Sequence, residues 1–192
     1  MKQESLYARY PRKSDFLFDY NPDLQAKLIR LNVVHSEIAL NEHIPSLGLL
    51  RSTYSDELAL EWLKIQFGSL NDYAEQGVGM RPEQLNELSS LYLAEYYYLN
   101  AAEVCFFIAR LKLGKYGQFY GAIGPMKIMS AMCEYIKERR QSLDSAERES
   151  ERRRREEEIN NRKGCISFAE YQELKMLTES GNEEARGKLG MQ

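Results

Sequence analysis

Histidine is almost missing from this chain. Its two copies, His35 and His43, stand eight positions apart with no cysteine or acidic neighbour at a ligand spacing, which speaks against a zinc site. Cysteine is scarce and odd in number. Cys105, Cys133 and Cys165 are too dispersed for a disulfide framework, and Cys105, within Val104-Cys105-Phe106-Phe107-Ile108, reads as a small buried hydrophobe. Long apolar runs are missing too: none approaches the roughly 20 residues that span a bilayer. The opening MKQESLYARYPRK carries no apolar segment of a secretory signal. Together these scarcities lead to an expectation of a cytoplasmic protein in a reducing compartment, with no membrane association. An excess of one charge sign is also lacking. Lys and Arg number 26 against 29 Asp and Glu, a net of -3, so no global polycation argues for nucleic acid.

The motifs of catalysis are absent as well. There is no G-x-S-x-G elbow, no H-E-x-x-H, no Cys signature with a catalytic pattern around it, and no inward-facing Glu-x-x-His pair. Glu95 and Glu103 lie beside apolar stripes, where cap or surface roles are more usual than a general acid and base. The expectation is a non-enzymatic protein with no catalytic residue, no metal and no cofactor.

What is present is a concentration of glycines, rings and lysines between Leu111 and Met132, in LKLGKYGQFYGAIGPMKIMSAM. Gly114, Gly117, Gly121 and Gly124 alternate with Tyr116, Phe119 and Tyr120, and Lys112, Lys115 and Lys127 lie among them. A P-loop is excluded, because the lysine must be followed by Ser or Thr to reach phosphate and magnesium, and here Tyr116 follows Lys115. Two readings stay open. The glycines let two helices turn and pack closely. Alternatively Lys112, Lys115, Tyr116, Phe119, Tyr120 and Lys127 form a contact surface, for a protein partner or for single-stranded nucleic acid, which rings and cations bind together.

A hydrophobic content of 43% supports a real core, and its spacing is helical. Residues 1–20 form an arm that drapes over the domain through Tyr7, Tyr10, Phe16, Phe18 and Tyr20 or stays loose. Asn21-Pro22 starts a helix predicted to run to about Asn41 through Leu24, Leu28, Leu31, Val34 and Ile38. His43–Gly48 reads as a loop. Ser52 or Ser55 caps the next helix, with Leu58, Trp62, Ile65 and Leu70 on its buried stripe. Pro82 opens another, through Leu85, Leu88, Leu91 and Tyr92. Asn100 with Glu103 forms a capping box before Val104, Phe107, Ile108 and Leu111, and Gly114 stands at a left-handed C-terminal cap. Pro125 opens a further apolar helix through Met126, Ile128, Met129, Met132, Tyr135 and Ile136.

Beyond Lys137 charge takes over. In the run to Lys163, Glu149–Arg153, Glu151–Arg155, Arg152–Glu156, Arg153–Glu157 and Arg154–Glu158 are spaced four apart, as in a solvated helix. The column Ile136, Leu143, Ser150, Glu157 fails as a coiled-coil heptad. Arg152, Arg153, Arg154 and Arg155 can reach phosphates, although Glu156–Glu158 beside them weaken that field. Ser167 and Glu170 cap a short last helix with Phe168, Tyr171, Leu174 and Leu177, closed by Gly181. The predicted class is therefore all-α: a compact helical domain of about five helices with a Gly/aromatic connector (21–136), a charged helix or linker (137–163), and a short C-terminal helix with a tail (164–192).

The string Leu99-Asn100-x-x-Glu103, Gly114-Lys115-Tyr116-Gly117-x-Phe119-Tyr120-Gly121, Pro125-Met126-x-Ile128-Met129 and Tyr135-x-x-x-Arg139 resembles small helical proteins of unknown function from Bacteroidetes mobile elements and phages. It covers about a quarter of the chain and implies no activity. The layout, a helical domain followed by a charged C-terminal part, is similar to phage proteins that load the replicative helicase, an analogy of architecture alone. The resulting expectation is an adaptor or accessory protein with a protein partner, in DNA replication. The alternative is a nucleic-acid-binding accessory module using the Gly/aromatic/Lys stretch. Nothing in the sequence sets an oligomeric state.

Overall fold

The computed structural model describes residues 3–73, 79–117, 123–163, 167–182 and 184. Ten α-helices and one 3-10 turn account for its regular structure, and no strand occurs among the described residues. The chain divides into two units, Met1–Ala146 and Glu147–Gln192.

The first unit is built around α8, Ala101–Lys112. Ten of its twelve residues, from Ala101 through Ala109 together with Leu111, are buried. A helix that is apolar on every side has to be wrapped, and the surrounding helices do so. On it or beside it pack α3 (Asp23–Arg30), α4 (His35–Ala39) and α6 (Asp56–Gly68), while α7 (Pro82–Glu95) and α5 (Leu47–Thr53) pack against α6. The first turns of α9, Pro125–Lys163, bring Ile128, Met132 and Tyr135 into the same core at helical spacing. Tyr135 meets Phe107 edge-on at 5.4 Å between ring centroids. The Tyr92 hydroxyl donates to Met132 Sδ at 3.4 Å.

The N-terminal arm is folded in as α1 (Gln3–Arg9) and α2 (Lys13–Asp19). Leu6, Tyr10, Phe16 and Tyr20 are buried, whereas Tyr7 and Phe18 face solvent. Phe16 stacks on Tyr20 with centroids 4.9 Å apart, and the Trp62 indole N–H donates to the Tyr20 carbonyl at 2.7 Å. These contacts tie the arm to α6, because a buried indole N–H needs an acceptor.

Two elements differ from the sequence expectation. The helix predicted from Pro22 to Asn41 is split into α3 and α4. Asn32 between them adopts φ 49°, a left-handed conformation that asparagine tolerates and that ends a helix. The Glu37 side chain then accepts from the Val34 N–H at 3.1 Å and starts the second piece. The segment read as a loop from His43 to Gly48 gives way at Leu47 to α5, capped by the Ser46 hydroxyl, which accepts from the Leu49 N–H at 3.2 Å. Backbone hydrogen bonds from Leu47 to Leu99, Gly48 to Tyr97 and Ala101 to Pro45 fasten this entry to the turn before α8.

Elsewhere the capping signals hold, whereas Ile65, read on a buried stripe, and Leu91 and Met126, read on apolar runs, are exposed. Asn100 and Glu103 form the capping box of α8, and Ser55 caps α6. At the end of α8, Gly114 takes φ 70°, its N–H bonds to Leu111 O, and Lys115 N–H bonds to Arg110 O, the two-bond closure of a left-handed cap. Helix α9 is continuous across position 137. No glycine or proline occurs between Met126 and Lys163, and pairs such as Arg153–Glu149 supply local support.

The second unit contains the rest of α9 and α10, Phe168–Glu179. From Glu147 to Asn160 every side chain is exposed. Helix α10 has the capping box Ser167–Glu170 at its start and a glycine closure at Gly181, with Asn182 N–H bonding to Leu177 O. It buries no residue.

Candidate functional site

Three places collect the residues to which the sequence pointed. The first is the lock beneath the connector. Gly114 turns the chain out of α8 and Tyr116 folds back, its ring 5.9 Å from Phe107 and its hydroxyl between two charged groups. Arg110 Nε donates to the Tyr116 oxygen at 2.8 Å, and the Tyr116 O–H donates to Glu138 at 2.9 Å. Arg110 also donates to Glu138 at 2.6 Å and lies over the Phe106 and Tyr116 rings. Burial holds the Tyr116 phenol well above its ordinary titration range, so it stays a neutral donor. Tyr116 therefore acts as a strut between α8 and α9, and its ring is turned inward rather than offered for stacking.

His35 borders this lock. It is buried, edge-on to Phe106 at 5.2 Å, and its Nε2 stands 3.5 Å from Glu138 without hydrogen-bonding to it. Burial, and after it the Arg110 charge, lowers its pKa, while Glu138 works in the opposite direction. Next to Glu138 on α9, Arg139 donates from Nε to Glu103, a carboxylate only 1% exposed. The other Glu103 oxygen accepts from the Asn100 N–H at 3.1 Å, and Arg139 lies over the Tyr98 ring. Asn100 itself donates to the Ile38 carbonyl at 2.8 Å, tying α4 to the same cluster. Asn100, Glu103, Tyr116, Tyr135 and Arg139, five of the positions in the string quoted above, thus lie along one polar seam where α8 and α9 pack. Glu103 is satisfied on both oxygens, which makes it a structural carboxylate.

The second place is a cleft of about 500 Å³ between α3, the end of α8 and the 3-10 turn at Asn71–Tyr73. Lys112 stands in its wall, half-buried. It donates from Nζ to the Ser69 hydroxyl at 3.0 Å and lies 5.3 Å from the centre of the Tyr73 ring. Burial lowers its pKa, and Asp72 partly restores it. Behind Ser69 runs a buried amide chain in which Gln25 donates to Gln66 at 2.8 Å and Gln66 donates to Tyr20 O at 2.7 Å. Sequence reasoning placed Lys112 on a surface with Tyr116; the structure turns it towards α3 and α6 instead.

The third place is the second unit. Arg152, Arg153 and Arg155 pair with Glu156, Glu149 and Glu151, three of the five pairs expected four residues apart, and Arg154 is exposed beside them. On α10 the large apolar side chains are open: Phe168 is 74% and Met176 66% exposed, with Tyr171 and Leu177 also exposed. Lys115 and Lys127 are exposed on either side of the connector. Phe119 and Tyr120 lie outside the described residues, as do Gly121 and Cys165. The sequence reading missed Arg110, Glu138 and His35 as a group. The only signal was their placement on helix faces next to apolar stripes, which pairs no residue with a partner far along the chain.

No group of three His, Cys, Asp or Glu side chains able to hold a metal ion occurs among the described residues, and no helix there is long and apolar enough to cross a membrane. The described residues are all-α, with a buried polar seam in the first unit and, in the second, a terminal helix that buries no residue. Residues 80–182 match a family of unknown function, DUF6633, and this chain belongs to that family. The match begins just before α7 and ends at the closure of α10, so it takes in both partners of the Glu103–Arg139 seam and the whole terminal helix. No curated protein and no solved structure matches the chain.

Proposed function

We propose that this protein is a non-enzymatic adaptor that engages a protein partner through α10. One observation carries the reading. Helix α10 is closed at both ends by its own side chains and backbone, yet it places no residue in a core. A helix of twelve residues is marginal by itself in water, so its apolar side chains gain most when a partner surface covers them. Phe168, Tyr171, Leu174 and Leu177 follow helical spacing and supply the contact, in the manner of an amphipathic helix laid in a groove. The charged stretch of α9 carries its own ion pairs and needs no core to remain helical.

The setting in a bacterial mobile element or phage, and a role beside its replication machinery in the cytoplasm, belong to the same proposal and rest on the resemblance of the 96–140 string. Nucleic-acid binding through the connector has less support, because Tyr116 and Lys112 are engaged inside the first unit. The experiment is affinity capture from the native host with the full chain, compared with Phe168→Asp/Leu174→Asp. A partner held by the wild type and lost by the variant supports the reading. Equal recovery by both removes α10 from it.

A further inference from the structure

Lys112 is a half-buried cation of the first unit, held by contacts other than an ion pair among the described residues. No Asp or Glu oxygen forms an ion pair with it among the described residues. At close range its charge is met by the neutral Ser69 hydroxyl, by the face of Tyr73, and by the C-terminal end of α6, where Ser69 is the cap, and at longer range by the exposed Asp72 carboxylate. The Ser69 hydroxyl already donates to the Gln66 carbonyl at 2.7 Å and accepts from Gln25 at 3.1 Å, so it is fully used. An ammonium has three donors, and Ser69 takes one. The desolvation cost of this cation is thus only partly offset, and an anion entering the cleft would offset the rest.

The cleft has the form of a small-molecule site. Its volume of about 500 Å³ lies in the range of ligand pockets, and most of its wall is apolar, from Ala26, Ile29, Ala109 and Leu113. Asp23 and Asp72 also line it, but both are exposed, so water screens them more than it screens Lys112. Arg30 adds a second, exposed positive charge. We propose that this cleft binds a small amphiphilic anion, a carboxylate on an apolar body, with the carboxylate at Lys112 Nζ and the body along Ala26, Ile29 and Leu113.

The test uses the full chain and two probes of the same length, octanoate and the neutral octanamide, titrated into amide proton–nitrogen NMR spectra. Saturable shifts at Ser69, Ala109 and Leu113 with octanoate, and binding of octanamide weaker by about tenfold, are expected from one charge-assisted hydrogen bond. Lys112→Gln should erase the preference for the anion, and Ala26→Trp, which fills the cleft, should abolish binding of both probes. The Trp62 emission of Lys112→Gln confirms that it folds. The proposal is overturned if octanoate shows no saturation, if octanamide binds as well, or if both variants bind octanoate like the wild type.

Discussion

Arg139→Met separates a structural ion pair from an ornamental one. Arg139 covers a carboxylate that is 1% exposed and sits at the first turn of the most buried helix. Removing the guanidinium leaves Glu103 charged inside the protein, with only the Asn100 N–H on its second oxygen. Losing one partner of such a pair costs about 3–5 kcal/mol, a large part of a total stability of about 5–15 kcal/mol. With a urea slope of about 2 kcal/mol/M, the midpoint should fall by roughly 1.5–2.5 M. The sole tryptophan, Trp62, is buried in the first unit and bonded to Tyr20, so its emission reports the unfolding of that unit.

The second arm of this experiment is Glu103→Gln. Glutamine keeps the capping box, because its amide oxygen still accepts from the Asn100 N–H. The double variant Glu103→Gln/Arg139→Met should therefore be more stable than Arg139→Met, since the unpaired charge has gone. A midpoint loss under about 0.5 M for Arg139→Met, or no rescue by Glu103→Gln, would refute the assignment of this pair as the anchor between α8 and α9.

Other outcomes follow from the same contacts. Tyr116→Phe keeps the packing on Phe107 but leaves Arg110 and Glu138 short of a hydrogen bond, and should lower stability by about 1–2 kcal/mol in the same urea assay. Burial depresses the His35 pKa below its ordinary 6.5, so the unfolded chain takes up the proton first. The urea midpoint should then fall as pH drops below about 6.5, and His35→Gln should flatten that dependence; a wild-type midpoint unchanged between pH 7 and 5.5 contradicts it. Gly79→Ala would bring a Cβ to 2.5 Å from Asn71 Cγ, the side chain that bonds both the N–H and the carbonyl of Met80. A loss of about 1–3 kcal/mol is expected there, and thermal melts would show it.

The parts of this fold legible in the sequence were those with short-range causes. The Asn100–Glu103 and Ser167–Glu170 boxes, and the glycine closures at Gly114 and Gly181, need only neighbours within a turn or two, and all four form as read. The break at Asn32 was hidden because Leu31 and Val34 continue the apolar spacing although both are exposed. Tyr116 was ambiguous for a different reason. Its partner Glu138 lies 22 positions away, and no local pattern separates a ring that locks a turn from one that meets a ligand. Lys112 likewise belongs with Ser69, 43 positions earlier, rather than with the lysines beside it.

The adaptor reading stands most directly on the occupancy of α10. A photo-crosslinking amino acid placed at Tyr171 in the full chain, expressed in the native host, samples that helix within a few ångströms. A matched probe at Leu91, also exposed but on α7, samples a face to which no role is given. The account predicts one discrete protein adduct from position 171 that is missing from position 91. No protein adduct at 171, or the same adducts from both positions, would contradict it.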